Sequence, residues 1–206
     1  MSQISEPKRL ILGVAGASGV IYGLRALDAL KELQVESHMV ASKAAEMTLK
    51  YETGLPARTL SDRADYAYKM PDVGASIASG SFQTLGMLIA PCSVRTMSEI
   101  ATGVTSSLLT RAADVCLKER RRLVLMIRET PFHLGHLRTM TQLTEMGAVI
   151  MPPLPAFYAR PESLEDMVDQ SVGRALDLFG LDWDSTRRWG EDLTLGARPP
   201  RQPAKD

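Results

Sequence analysis

Two kinds of hydrophobic pattern alternate along the chain. Apolar runs are typical of strands that are buried on both faces of a parallel sheet, and they occur at residues 9–15, 85–90, 123–127 and 148–151, while residues 35–41 are predicted to form a further strand. Between these runs, apolar residues recur every three or four positions, which predicts amphipathic helices. The clearest helix follows the last strand, at residues 164–179, where seven apolar or small positions share one face.

Strands that alternate with helices predict an α/β fold made of a single domain. We expect a doubly wound, Rossmann-like or flavodoxin-like parallel sheet with helices on both faces and right-handed crossovers. Residues 1–182 are assigned to this domain, and residues 54–71, which are polar and carry two prolines, to a surface excursion. From Trp183 onward no periodicity remains, so residues 183–206 are predicted to form a non-core tail, either disordered or packed on a neighbouring subunit.

Composition narrows the classes of function. The 206 residues include 24 Lys plus Arg and 24 Asp plus Glu, so no overall charge favours nucleic acid or an anionic membrane. Two cysteines without CxxC spacing predict neither a disulfide framework nor a zinc site. The N-terminus lacks the pattern of a signal peptide, and no apolar run approaches the roughly 20 residues of a membrane span. We therefore expect a cytoplasmic protein.

The end of the first predicted strand carries a glycine-rich turn. Gly13, Gly16 and Gly19 give a GxxGxxG spacing, which differs from the GxGxxG of dinucleotide folds, and no P-loop lysine follows. The turn is suited to a mononucleotide phosphate, with the Ser18 hydroxyl as an extra ligand. It is equally suited to a tight strand-to-helix turn whose glycines allow close packing, and the spacing alone leaves both interpretations open.

Two further strand ends carry polar residues. Residues 91–96 (PCSVRT) place hydroxyls, amides and Arg95 at a helix start, where an anion is favoured; taken alone, however, Ser93 as a helix cap beside a solvated Arg95 is the commoner arrangement. Arg128 and Glu129 directly follow an apolar strand, so they are expected above the sheet. An arginine there can bind phosphate and a glutamate can move protons, whereas a structural ion pair is the competing account.

The remaining polar candidates are individually weak. A solvated charge is the default for Arg111, Lys118 and Arg174, although Arg174 lies beside the apolar stripe of the last helix. Packing is the usual role for an aromatic such as Tyr158. His133 and His136 are three positions apart on a helix, but no third ligand has suitable spacing, so no metal site is predicted.

Taken in order, several motifs resemble the UbiX/Pad1 family of flavin prenyltransferases. They are GASG at 16–19, SKAA…YET at 42–53, SGSFQTLGMLIAPCS at 79–93, RAADVCLKE at 111–119, RLVLMIRETP at 122–131 and GAVIMPPLPAFYARPES at 147–163. Each motif is weak alone, but the ordered set spans most of the chain. The SGSF and PAFY segments lean toward the Pad1-like branch, whose members serve aromatic-acid decarboxylases.

The resemblance implies a set of functional residues. The FMN contacts of the family fall on Gly16, Ala17, Ser18, Ser42, Ser93, Val94, Arg95, Thr96 and Arg128. The contacts to dimethylallyl phosphate fall on Ser79, Gly80, Ser81, Arg111, Lys118, Arg128, Tyr158, Arg174 and Trp189, the last of these supplied by a neighbouring subunit. Catalytic roles fall on Ser18, Glu52, Glu129 and Lys118. We expect one crevice above the sheet to accept both anions.

The implied reaction joins a dimethylallyl group from dimethylallyl phosphate to N5 and C6 of reduced FMN, without a metal. Cations stabilise the departing phosphate and aromatic faces stabilise the allylic cation, while Glu52 or Glu129 assists proton transfer. Ser18 orients a water or a carboxylate. The product would serve a UbiD-type decarboxylase, and the family members look like homododecamers.

Two other functions remain as alternatives. An FMN-dependent cysteine decarboxylase of related fold would carry a catalytic histidine and a PxMN segment, whereas this chain reads APCSVRT at the equivalent strand end. A non-catalytic FMN-binding subunit would not need Lys118, Tyr158 and Arg174. The chain also departs from common family residues at Ala15, Ile127 and Ser107, and none of these departures removes a charged site residue.

Overall fold

A computed structural model describes residues 7–190 and has one parallel six-stranded sheet in the order β3-β2-β1-β4-β5-β6. The strands are β1 (Arg9–Val14), β2 (Glu36–Ala41), β3 (Tyr66–Tyr68), β4 (Gly86–Cys92), β5 (Arg122–Ile127) and β6 (Val149–Ile150). The helices are α1 (Val20–Glu32), α2 (Lys43–Thr53), α3 (Arg58–Arg63), α4 (Val94–Ala101), α5 (Leu108–Lys118), α6 (Leu134–Glu145) and α7 (Leu164–Asp177), with short 3₁₀ turns at Ser76–Ala78 and Phe157–Ala159.

The core lies in two layers, one on each face of the sheet. Successive side chains of a strand point to opposite faces, so Leu10 and Leu12 of β1 pack with α1 and α7, whereas Ile11 packs on the other side with α4 and α5. Helices therefore cover both faces, which confirms the doubly wound fold. None of the helices in residues 7–190 combines the length and hydrophobicity that a bilayer-spanning segment needs.

The chain reverses its direction of winding between β1 and β4. From β1 it moves outward to β2 and β3, then crosses back to β4 and continues to β5 and β6 on the other side. The loops that leave the carboxyl ends of β1 and β4 consequently diverge and leave a crevice, which is where open α/β sheets bind ligands.

Residues 54–71 are more regular than the sequence predicts. They contain α3 and the edge strand β3, which pairs with β2 and positions Tyr66 beside His38. Asp65 fixes the start of β3, because its carboxylate accepts hydrogen bonds from the backbone N–H and hydroxyl of Ser37, both at 2.8 Å. Short elements rich in polar residues give no periodic signal, which explains why the pattern missed them.

The predicted boundary of the tail is wrong for its first residues. Trp183 is only 3% exposed, packs in the core beside α1 and donates its indole N–H to the Glu32 carboxylate at 2.6 Å. Thr186 is also buried, against Gly173 of α7. The chain thus stays on the domain past residue 182. Residues 191–206, the rest of the predicted tail, lie outside the described residues.

Candidate active site

The GASG turn packs directly on the start of α2. A Cβ atom on Gly16 would lie 2.3 Å from the Cβ of Ala44, so only glycine permits this approach. Ala17 is buried whereas Ser18 is exposed, and Gly19 adopts a left-handed φ of 97° as the N-cap of α1. The packing role of the glycines is therefore real, and the turn presents the Ser18 side chain outward.

The N-terminus of α1 is occupied by a carboxylate of the chain itself. Glu52, in the last turn of α2, accepts hydrogen bonds from the backbone N–H groups of Gly19 and Val20, each at 3.0 Å. A negative charge is stabilised at this end of a helix. Because Glu52 already uses these donors, the first turn of α1 is a poor place for a second anion, and Glu52 itself is held beside Ser18.

The helices that follow β2 and β4 begin with serine caps. Ser42 Oγ accepts from the N–H of Ala45 at 3.1 Å, and Ser93 Oγ accepts from the N–H of Thr96 at 3.2 Å. The Arg95 side chain is 85% exposed and pairs with Glu99 at 2.9 Å. Ser93 as a helix cap beside a solvated Arg95 is therefore the arrangement found. The remaining backbone N–H groups in the first turn of a helix have no acceptor within the helix. At the start of α4, such groups can donate hydrogen bonds to a ligand in the crevice.

Three of the predicted residues meet in one cavity at the carboxyl edge of the sheet. Ser18, Glu52 and Arg128 line a space of about 440 Å³, a size that is common for cofactor sites. Arg128 is exposed at the end of β5. Its positive charge lies close enough to Tyr22 to oppose the effect of burial, which raises the pKa of the Tyr22 phenol. The crevice thus combines a carboxylate, a guanidinium and a neutral phenol.

One side of this cavity is apolar and comes from residues that are not among the predicted site residues. Met167 and Val168 of α7, with Leu164 and Pro155, face Ile21 and Tyr22 across the space. An apolar wall opposite polar groups suits a flat aromatic ligand. The signal in the sequence was Tyr22, an aromatic with a polar tip one turn into the helix after GASG.

Glu129 does not pair with its neighbour. Its carboxylate accepts a hydrogen bond from the Thr130 N–H at 2.9 Å and is exposed. Among the contacts within residues 7–190, no Arg128–Glu129 ion pair occurs, so the structural ion pair is not the arrangement found. Both side chains remain accessible at the end of β5.

Ser79, Gly80, Ser81 and Lys118 form a second cluster at the opposite edge of the sheet. Lys118 ends α5 just before β5 begins, and the serines precede β4, so all of them lie at the amino ends of these strands. A Cβ on Gly80 would lie 2.9 Å from Lys118 Nζ, which shows how closely the two approach. Within one chain, Lys118 and these serines therefore lie apart from Ser18, Glu52 and Arg128, and their part in the crevice that is expected to accept both anions stays a prediction.

The other predicted contacts are also separate from the crevice. Arg111 pairs with Asp114 at 2.8 Å on α5, and Arg174 pairs with Asp177 near the end of α7. The Tyr158 ring packs edge-on against Trp189, with centroids 5.7 Å apart, and its hydroxyl lies 3.5 Å from Gln170 Nε2. Gln170 lines a different, polar cavity. Their roles in binding stay predictions.

The two histidines serve a structural purpose. His133 Nδ1 accepts from the N–H of Gly135 at 3.0 Å as the cap of α6, and its ring stacks on His136 with centroids 3.6 Å apart. Within residues 7–190, no group of three or more His, Cys, Asp or Glu side chains is arranged to bind a metal. Cys92 and Cys116 are buried and free.

Comparison with known proteins places this geometry in a family. Residues 1–176 match the family model described as Flavoprotein. The chain is 57% identical over 185 residues to "Flavin prenyltransferase UbiX" of Escherichia coli K12, covering 88% of this chain and 98% of the relative. It is 49% identical to "Flavin prenyltransferase PAD1, mitochondrial" of Saccharomyces cerevisiae, covering 89% and 76%.

Solved structures agree. The fold matches a crystal structure of AnUbiX (PadA1) in complex with FMN and dimethylallyl pyrophosphate with a TM-score of 0.88 and 48% identity, covering 90% of this chain and 98% of that one. A cysteine decarboxylase, SpaF, matches at a TM-score of 0.58 and 18% identity, which shows a common fold alone. The chain therefore belongs to the flavoprotein family and, within it, to the UbiX/Pad1 flavin prenyltransferases.

Proposed function

We propose that this protein transfers a dimethylallyl group from dimethylallyl phosphate to N5 and C6 of reduced FMN, without a metal. The observation that carries this proposal is the crevice at the switch point of the sheet, where Ser18, Glu52 and Arg128 converge opposite an apolar wall. The family membership supplies the reaction class, and the crevice supplies groups for its binding and proton transfer.

The crevice fits FMN. The apolar wall from α7 suits the flat ring, and the close contact of Gly16 with Ala44 shapes the floor on which Ala17 and Ser18 lie. For the phosphate we favour the start of α4, because Glu52 already binds the donors at α1. The residues that would hold the cofactor are Gly16, Ala17, Ser18, Ser42, Ser93, Val94, Arg95, Thr96 and Arg128. When bound, reduced FMN supplies the nucleophilic atoms of the reaction.

The side chains of the protein handle charge and protons. Breaking an allylic C–O bond leaves negative charge on the departing phosphate, which Arg128, Lys118 and Arg174 stabilise as fixed cations. The second bond would require one proton to be donated and another to be removed; Glu52 is positioned for such transfers beside Ser18, and Glu129 is accessible at the end of β5. The apolar wall of α7 limits the access of water to the developing cation.

Neighbouring copies are proposed to complete the site. Lys118 and the serine cluster lie at the edge of the sheet opposite the crevice, so one chain cannot bring them to its own flavin. An FMN-dependent UbiX-like protein of E. coli O157:H7, 46% identical and with a TM-score of 0.85, is described as dodecameric. A homododecamer of this chain would allow Lys118, Tyr158, Arg174 and Trp189 of one copy to approach the crevice of another.

The mass of the recovered flavin tests the reaction. The protein is incubated without oxygen with reduced FMN and dimethylallyl phosphate, and the flavin is extracted. We expect FMN carrying one added five-carbon isoprene unit and a changed absorption spectrum. Bound but unmodified FMN would refute the transferase and leave the non-catalytic FMN-binding alternative.

Subunit complementation tests the completed site. Glu52→Gln removes a proposed catalytic group from the crevice, at the carboxyl edge of the sheet. Lys118→Ala removes a proposed substrate-binding group from the amino edge of the sheet. The two inactive variants are dissociated, mixed and reassembled. If each site forms between two chains, some sites will then combine an intact Glu52 from one chain with an intact Lys118 from another, and part of the wild-type activity should return. Each variant reassembled alone is the control. Activity that stays at the level of these controls would contradict a shared site.

Three finer points remain proposals. The product is proposed to serve a UbiD-type decarboxylase of aromatic acids, in line with the Pad1-like SGSF and PAFY segments. A cytoplasmic location is supported by two buried, free thiols, which suit a reducing compartment. The cysteine decarboxylase alternative is disfavoured because its structural likeness reaches only 18% identity.

A further inference from the structure

The turn that carries Ser79 and Ser81 exposes both hydroxyls. The N–H of Phe82 donates to the carbonyl oxygen of Ser79 at 3.3 Å, closing a tight turn, and the two serine hydroxyls lie 2.9 Å apart. Both serines are exposed. A Cβ at Gly80 would lie within 3 Å of the side-chain ends of Lys118 and Glu119, so the turn and these two side chains are in close contact. The turn and the end of α5 therefore form one polar corner.

Arg121 binds this turn from behind. Its guanidinium donates to the carbonyl oxygen of Phe82 at 2.6 Å and to that of Gly80 as well. A guanidinium offers a planar fork of donors, so it can fix two carbonyls at once, which a lysine cannot do in the same geometry. The N–H of a trans peptide points opposite to its C=O. Directing the Gly80 carbonyl at Arg121 therefore turns the Ser81 N–H toward Ser79 Oγ, 3.4 Å away.

The backbone that carries Arg121 is itself well defined. The N–H of Arg121 donates to the carbonyl of Cys116 at 2.8 Å, and that of Arg120 donates to Leu117 at 3.1 Å. Arg120 adopts a left-handed φ of 53°. These are the bonds of a Schellman motif, which ends a helix in one conformation. The backbone of Lys118, in the last turn of the same helix, is thus fixed relative to Arg121, and the Lys118 ammonium pairs with the Glu119 carboxylate at 2.5 Å.

The other end of the segment is also fastened. The Ser76 hydroxyl, in the 3₁₀ turn just before Ser79, lies 2.8 Å from the Tyr68 hydroxyl. Tyr68 thus holds one end of the segment and Arg121 the other, so the backbone that carries the two serines is fixed relative to the end of α5.

We infer that Arg121 is a positioning residue that sets Ser79 and Ser81 beside Lys118 to bind the phosphate of the prenyl substrate. This inference rests on the proposed function. It assigns a role to Arg121, the middle one of three consecutive arginines at residues 120–122. Arg121 does not touch the substrate in this scheme; it acts through the turn.

Kinetics of Arg121→Gln and Arg121→Lys test the inference, with Arg122→Gln as the control because Arg122 is exposed at the start of β5. Without the Arg121 guanidinium, we expect the turn at Ser79–Ser81 to adopt its phosphate-binding conformation in about a tenth of the molecules. The KM for dimethylallyl phosphate then rises about tenfold. The rise should be smaller for Arg121→Lys and absent for Arg122→Gln. The Kd for FMN should not change, because the crevice lies at the other edge, and kcat should change by less than about threefold.

A double-mutant cycle separates positioning from general stability. In a Ser79→Ala/Ser81→Ala background, Arg121→Lys should have no further effect on the KM, because the hydroxyls that it positions are gone. An equal rise in both backgrounds, an unchanged KM in Arg121→Gln, or a parallel loss of FMN affinity would overturn the inference. A wild-type protein that forms no prenylated flavin would instead refute the proposed function.

Discussion

Replacing Glu52 by glutamine should destabilise the protein through the start of α1. The two carboxylate oxygens accept the N–H groups of Gly19 and Val20 at 3.0 Å, thereby linking the end of α2 to the first turn of α1. Glutamine retains one oxygen but replaces the other with an NH₂ group, which cannot accept, so at least one of these bonds is lost. The favourable interaction of the charge with the helix dipole is lost as well.

The magnitude follows from these two terms. A hydrogen bond to a charged group contributes about 1.5–3 kcal/mol and the dipole interaction about 0.3–1 kcal/mol. Since Glu52 is exposed, solvent screening places the sum at the low end, about 1.5 kcal/mol. For a chain of this size, that corresponds to a decrease in Tm of about 3–6 °C.

Urea unfolding followed by circular dichroism measures the change. The protein should be free of FMN and kept at one concentration, because association of subunits also shifts apparent stability. Glu46→Gln, the same substitution in the first turn of α2, is the control and should cost no more than about 0.5 kcal/mol. A Glu52→Gln midpoint equal to that of wild type, with an unchanged m-value, would refute this role of the carboxylate.

Three further results are expected. A hydrogen bond from the Ser37 backbone N–H holds the pKa of Asp65 below its usual range, so the ionised carboxylate stabilises the fold above about pH 4. This stabilisation is lost as the pH falls through the lowered pKa of the folded state. The difference in urea midpoint between wild type and Asp65→Asn should therefore shrink toward pH 3, and a constant difference would contradict this. Trp183→Phe removes the indole N–H that donates to the exposed Glu32 carboxylate, together with part of a buried ring, and should cost about 1–3 kcal/mol in the free energy of unfolding, unlike the exposed Trp189→Phe. Burial raises the pKa of the Cys116 thiol to about 12, so iodoacetamide at pH 8 should label this thiol only after the protein unfolds. Mass spectrometry measures the labelling. Rapid labelling of the native protein would contradict the prediction, because it would show that the thiol is accessible.

The crevice could be predicted from the sequence because of a simple geometric rule. In a parallel sheet the carboxyl ends of all strands share one edge, so residues that directly follow β1 and β5, such as Ser18 and Arg128, must lie near each other. Glu52 required the resemblance, since it comes from the end of a helix. Tyr22 and the wall from α7 were missed because apolar and aromatic residues at helical spacing look the same whether they line a core or a cavity.

The position of Lys118 followed from the same rule but was not recognised. A residue that ends a helix just before a strand lies at the amino edge of the sheet, opposite the crevice, and Lys118 precedes β5 by only a few residues. A list of family contacts does not say which copy of the chain supplies each one. Trp183 shows a different limit, because a single aromatic residue in a polar, proline-rich stretch carries no periodic signal of burial.

Both outermost strands of the sheet are very short. β3 has three residues and β6 only two, so each flank offers few free backbone donors and acceptors to a visiting strand. Long unpaired edge strands invite polymerisation into continuous sheets, and the sheet within residues 7–190 leaves almost no template for it. An association of copies through residues 7–190 would consequently rest on side chains of helices and loops, a mode of contact that can close into a shell with a fixed number of members.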